Sequence, residues 1–270
     1  MLKRYPFLLA ALIAGYAFLY LPIISLIVYS FNESRLVTVW GGFSTKWYGA
    51  LMHNGPLLDA AWLSIKIASL NATLAVILGT LAALALVRFR RMRGLKSLSI
   101  MVSAPLVMPE VIIGLSLLLL FIAMEDLIGW PAGRGQTTIL LAHVTFSMAY
   151  VTVIVQSRLA HMDRSIEEAA LDLGARPVKV FFKITLPMIA PALIAGWLLS
   201  FTLSMDDLVV ASFVSGPGST TLPMVVYSSV RLGVSPQINA LATIIIGIVA
   251  LAVLIAGVTM YKQEMKKAQG

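Results

Sequence analysis

The 270 residues include no cysteine, so neither disulfides nor a thiolate metal site can hold the fold together. Charge is also scarce: Asp, Glu, Lys and Arg make up 12% of the chain, where a soluble domain is ordinarily about a quarter charged. No Gly-x-x-x-x-Gly-Lys-Ser/Thr run occurs, so the chain lacks the loop that cradles ATP phosphates. Any ATP-driven step would need a separate polypeptide. Of the three histidines, only His143 lies within an apolar run. With no carboxylate or second histidine at ligand spacing, it is expected to be a hydrogen-bonded core residue, and no metal site is expected. No nucleophile–base pair is visible either, since Ser116 in Gly114-Leu115-Ser116-Leu117 lacks the second glycine of a Gly-x-Ser-Gly-type element. What fills the sequence instead is apolar: 59% of residues, with a mean hydropathy of +0.92. That composition places the chain in lipid.

Crossing a bilayer takes about 20 apolar residues, and six runs of that kind are predicted, at about 7–31, 61–87, 99–123, 138–156, 187–213 and 239–261. The reading is all-α, one membrane domain over 1–270. Lys3 and Arg4 ahead of the first run resemble a secretory signal. The run is far longer than a signal core and has no small-residue cleavage site, so it is expected to remain as a span. Six spans put both ends on one side. Most of the 20 lysines and arginines fall on that side: Lys3 and Arg4, then Arg88, Arg90, Arg91, Arg93 and Lys96. Arg158, Arg164, Arg176, Lys179 and Lys183 follow, with Lys262, Lys266 and Lys267. The bias predicts cytoplasmic termini and a cytoplasmic segment at 157–186. It also accounts for the +8 net charge with membrane lipid as the surroundings and no nucleic acid as partner. Ala75, Gly79 and Ala83 form a small-residue stripe that predicts close helix packing. Trp40, Phe43, Trp47 and Tyr48 are expected to rest at the outer interface, and Leu222–Leu232 to be a short helix along it. Asn32-Glu33-Ser34 and Asn71-Ala72-Thr73 match the glycosylation pattern by chance.

The most polar long stretch is Asp163–Pro187. Ile166, Ala169, Ala170 and Leu173 share one side at helical spacing while Glu167, Glu168 and Asp172 do not, predicting a short amphipathic helix. Gly174 and Pro177 mark its stop. Val178–Leu186 then leads to Pro187, which suits the first turn of the next helix. A helix–Gly–helix elbow outside the lipid has a shape that a partner protein can grip.

Carboxylates at membrane depth are costly and usually face protein or water. Glu110, after Pro105 and Pro109, is predicted ~17 Å along the third span, near mid-membrane, and Asp206 and Asp207 ~29 Å along the fifth, near its outer end. Prolines there bend the helix and free carbonyls, so Glu110 could line a cation path or pair with Lys66. Lys66 itself is expected to snorkel outward. Ser200, Ser204 and Asp207 share a face at i, i+4, i+7, which makes Asp207 the expected water-facing residue. Asp206 is expected to meet a partner chain or a loop.

Glu168-Ala169-Ala170, three residues, Gly174, nine residues and Ile184-Thr185-Leu186-Pro187 together resemble the EAA loop of ABC-importer permeases. SAPLVMPEVIIGLSLLLLF, SFTLSMDDLVVASFVSGPGSTTLP and SSVRLGVSPQINALATI extend the resemblance to polyamine importers. It implies a MetI-like permease fold with Glu168, Ala169, Ala170, Gly174, Ile184, Leu186 and Pro187 forming the ATPase-coupling loop. It also implies a non-catalytic subunit of a bacterial inner-membrane complex. The other components would be a second homologous permease, two copies of a cytoplasmic ATPase holding ATP and Mg, and a periplasmic polyamine-binding protein. No cofactor is expected in this chain. Glu110, Asp206, Asp207, Ser200 and Ser204 are the candidate substrate path, putrescine being the leading substrate. The alternatives are another small cationic solute, a proton-coupled secondary transporter, or a non-transporting scaffold. A secondary transporter is disfavoured because no internal inverted repeat is evident.

Overall fold

The computed structural model describes residues 6–36, 39–89, 91–232 and 235–269. In order, its helices are α1 (Pro6–Ser30), α2 (Lys46–Met52), α3 (Gly55–Arg88), α4 (Leu95–Val107), α5 (Glu110–Ile128), α6 (Gln136–Ala160), α7 (Ser165–Asp172) and α8 (Pro177–Val180). A π-helical turn, Phe181–Thr185, joins α8 to α9 (Leu186–Asp206). Then come α10 (Val209–Val214), α11 (Leu222–Leu232) and α12 (Pro236–Gln269). No strand occurs among the described residues. Phe7–Ser30, α3, α5, α6 and Pro177–Asp206 are each long and apolar enough to cross a membrane. The sixth predicted span, 239–261, lies on α12; most of its side chains past residue 251 lie outside the described residues.

The chain forms two compact units, Met1–Leu58 with Val226–Gly270, and Asp59–Val225. In the first, α1 and α2 pack on α12. Asn32 is buried and organises the loop after α1: its Oδ1 accepts from the Ser34 and Gly41 N–H groups and its Nδ2 donates to Val39 O. Trp47, expected at the interface, is instead buried, donating through Nε1 to Asn32 O at 2.6 Å. A side chain whose N–H is satisfied inside the protein gains more from burial than from the interface. Trp40 and Phe43 remain exposed.

In the second unit, α6 is the central post, with α4, α9 and α10 packed against it. The predicted small-residue stripe serves this packing. Ala75 and Ala83 are fully buried beside Val151, Val155 and Leu159, and a Cβ on Gly79 would come within 2.8 Å of Val151 and 3.0 Å of Met148 O. Asn71, read from sequence as chance, lies at the centre of the bundle. Its Nδ2 donates to Ser147 Oγ at 3.0 Å and to Ser200 O at 2.9 Å, tying α3 to α6 and α9. Such interhelical bonds are worth about 0.6–2 kcal/mol in lipid.

Two spans that the sequence reads as continuous are broken. Pro109 has no N–H to offer Pro105 O, and the residue before a proline is pushed out of the helical region. Met108 is accordingly extended at φ −77°, ψ 137°, and α5 starts afresh at Glu110. The second break, between α9 and α10, has no proline. Asp207 is extended at φ −67°, ψ 122°, and its carboxylate takes the N–H groups that a continuing helix would have used.

Candidate functional site

Asp207 explains the second break. Its Oδ1 accepts from Val210 N–H at 3.2 Å and its Oδ2 from Ala211 N–H at 2.7 Å, so the side chain substitutes for carbonyls of an unbroken helix. Oδ2 also meets His143 Nε2 at 3.1 Å, and His143 Nδ1 lies 2.7 Å from Ser204 Oγ. An ionised carboxylate only accepts. With the carboxylate ionised and the ring neutral, Nε2 donates to Asp207 and Nδ1 accepts from the Ser204 hydroxyl. His143 is 1% exposed and Asp207 8%. His143 is thus a hydrogen-bonded core residue, as expected, and the partners the sequence hid are supplied by α9.

Asp207, expected to face water, is buried, and Asp206 is exposed. Ser200, Ser204 and Asp207 do share a face, but it is turned into the protein, with all three buried. Asp206, the last residue of α9, is exposed and lines a cavity of about 480 Å³ together with Glu110. Pro105, Pro109, Phe146 and Tyr150 also line it. Asp207 borders this cavity while its carboxylate points back to His143 and α10. Glu110 and the two aspartates, expected at different positions along their spans, line one cavity. Lys66 is exposed, and no ion pair joins it to Glu110 among the described residues.

Four helix ends meet the cavity. The starts of α5 and α10 carry the positive end of the helix dipole, which Glu110 and Asp207 offset. The ends of α4 and α9 carry the negative end, and neither has a basic residue in its last turn. With two carboxylates and two uncompensated carbonyl ends, the cavity favours a cation.

The elbow forms as the sequence predicts. In α7, Glu168 and Ala169 are exposed and Ala170 is half-buried. Gly174 N–H donates to Leu171 O at 2.9 Å and Ala175 N–H to Ala170 O at 3.0 Å, the paired bonds of a left-handed helix stop. Gly174 takes φ +83°. At the other end Ser165 N–H donates to Asp163 Oδ1 at 2.9 Å; this bond, with the Ser165 hydroxyl, holds the Asp163 carboxyl below its usual range. Ile184 and Leu186 are half-buried and Pro187 exposed. Pro187 follows the π-helical turn, whose wider winding makes room for its ring against the preceding carbonyls.

Glu167, which sequence reasoning passed over for Glu168, fastens this elbow to the bundle. It meets Arg88 Nη2 at 2.6 Å and accepts from the Thr185 hydroxyl, and Arg164 donates to Val87 O at 3.3 Å. Only the pairing with a residue 79 positions away (Arg88) distinguishes Glu167, and a sequence does not display it.

Several membrane-crossing helices, two of them interrupted at an acid-lined cavity, and an elbow outside the apolar spans define a multi-pass membrane transport protein. The chain belongs to the family described as binding-protein-dependent transport system inner membrane components, whose family model matches residues 75–266. It is 60% identical over 98% of its length to the putrescine transport system permease protein PotI of Escherichia coli K12, covering 94% of that protein. It is 45% identical over 95% of its length to the spermidine/putrescine transport system permease protein PotC of the same strain, again covering 94%. A solved bacterial ABC transporter involved in alginate import has the same fold: TM-score 0.71, 18% identity, 96% of each chain covered.

Proposed function

We propose that the chain is the permease of an ATP-driven importer of polyamines, putrescine foremost, with Glu110 and Asp206 as the charged groups on the solute's path. The observation that carries this reading is the cavity at the two helix breaks, where both carboxylates meet two negative helix ends. An aliphatic diamine suits such a site, offering ammonium groups to the carboxylates and methylenes to Phe146 and Tyr150. The likeness to PotI and PotC supports the choice of solute. Asp207, Ser204 and Ser200 hold the α9 break and the bundle around it rather than touching the solute.

The driving energy comes from two copies of a cytoplasmic ATPase, which hold the ATP and Mg and grip α7 at Glu168, Ala169 and Ala170. A second homologous permease completes the pathway, and a periplasmic binding protein delivers the solute. The chain itself is non-catalytic, sits in the bacterial inner membrane and has both termini in the cytoplasm, in line with the lysine and arginine bias. The elbow transmits motion as a rigid piece, because Glu167, Arg88 and Thr185 tie it to α3 and to the start of α9.

The test is uptake of labelled putrescine and spermidine by cells lacking only this gene, restored with wild type, Glu110→Gln or Asp206→Asn. Deletion should abolish uptake, and each amide should slow it while the complex still assembles. Wild-type uptake by both variants would overturn the assignment of the path. Co-purification with an ATPase that responds to a binding protein separates this reading from a proton-coupled carrier and from a scaffold.

A further inference from the structure

At the foot of α3, away from the acidic cavity, lies an open cleft of about 550 Å³ lined by Arg88, Arg91 and Arg164 together with Val87, Phe89 and Met92. Three guanidinium groups converge there, and one carboxylate, Glu167, is engaged with them, through Arg88. Arg164 donates to Val87 O, and Arg91 lines the cleft beside it. Guanidinium groups of this kind favour a phosphate, which they bind through two oxygens at once. The apolar part of the lining is what narrows the choice of ligand. Phe89 is 62% exposed and Met92 43%, side chains that a site for a small soluble anion would not need. The cleft also lies at the end of α3, a helix long and apolar enough to cross a membrane, which brings it within reach of lipid.

We infer that this cleft binds the phosphate headgroup of an anionic phospholipid, with the arginines on the phosphate and Phe89 and Met92 against the first methylenes of an acyl chain. The site does not depend on which solute is carried. Its charge makes it selective, since a zwitterionic lipid carries its own cation beside the phosphate and gains less from three arginines.

The test uses the whole transporter complex, purified in mild detergent with equal amounts of phosphatidylglycerol and phosphatidylcholine. Native mass spectrometry reads the lipid retained. Wild type should keep phosphatidylglycerol in preference. Arg91→Gln should lower that retention roughly fivefold, as one basic residue near a membrane surface is worth about that factor, and Arg91→Lys should restore part of it. Phe89→Ser should also weaken retention, because the lipid is held by its chain as well as its headgroup. Equal retention of the two lipids, or phosphatidylglycerol unaffected by Arg91→Gln, would overturn the inference. So would full displacement by inorganic phosphate with Phe89→Ser silent, which would mark a site for a free anion.

Discussion

If Asp207 is a clasp for the helix break rather than a contact for the solute, its removal must be felt through His143. Asp207→Ala takes away three accepted bonds, two from the start of α10 and one from the imidazole. Breaking a buried pair from one side costs about 3–5 kcal/mol. His143→Ala leaves the carboxylate its two backbone partners and removes one charge-assisted bond, about 1.5–3 kcal/mol, together with the bond to Ser204 Oγ, about 0.5–1.5 kcal/mol. In the double variant the shared charge-assisted bond is counted only once. The two single losses should therefore overshoot the double by about 1.5–3 kcal/mol. Unfolding of the purified protein in mixed micelles, followed by helical signal, measures all four corners of the cycle. Additivity within about 0.5 kcal/mol would mean the two residues do not cooperate and would refute the clasp. Transport kinetics give a second discrimination. A solute-touching Asp207 would raise KM on conversion to Asn without loss of stability, whereas the clasp loses stability together with maximal rate.

The other predictions concern the elbow and the bundle. Gly174→Val should reach the membrane yet lose most uptake, because a residue with a Cβ costs roughly 1–2 kcal/mol in the left-handed region. Gly174→Asn should keep most of it, since Asn tolerates the left-handed region and a Cβ there meets no neighbour. Glu167→Gln should release the foot of α3 from α7, lowering uptake per ATP hydrolysed while leaving binding of the ATPase intact in co-purification. Gly79→Leu should destabilise the bundle by about 1–3 kcal/mol through overpacking, read as a lowered melting temperature; a neutral outcome would mean α3 and α6 are not in close contact.

The elbow was legible in the sequence because its signals are local. Helical spacing, a left-handed stop at Gly174 and Pro177 at the next start each lie within a few residues of what they determine. Local chemistry also accounts for the break at Met108, which the sequence reads only as a bend: Pro109 withholds a donor and pushes the residue before it extended. The break at Asp207 rests on a side chain that caps α10 and also meets His143 on another helix, a partner that nothing adjacent in sequence shows. For the same reason face-sharing found Ser200, Ser204 and Asp207 together but could not say whether that face met water or protein. Periodicity defines faces; packing decides what each face meets. Asn32 and Asn71 were passed over because their partners lie in loops and helices that come together only on folding.

The position of the breaks and the charge of the cavity are one fact seen twice. A helix that stops inside a membrane exposes carbonyls worth roughly half a negative charge, and such backbone is tolerated only against protein or a wet cavity. Both α4 and α9 stop at the cavity without a basic residue in the last turn, so no cation of their own offsets the negative ends. The positive starts of α5 and α10 oppose these ends, so the bias toward cations is set by Glu110, Asp206 and Asp207 together with them. Converting Glu110 or Asp206 to its amide should therefore weaken attraction for a diamine without abolishing it, and the double amide should retain a residual preference for cations over neutral solutes of the same size. A double amide as permissive to a neutral diol as to the diamine would show that the carboxylates alone set the selectivity, and the geometry of the helix ends would then have no part in it.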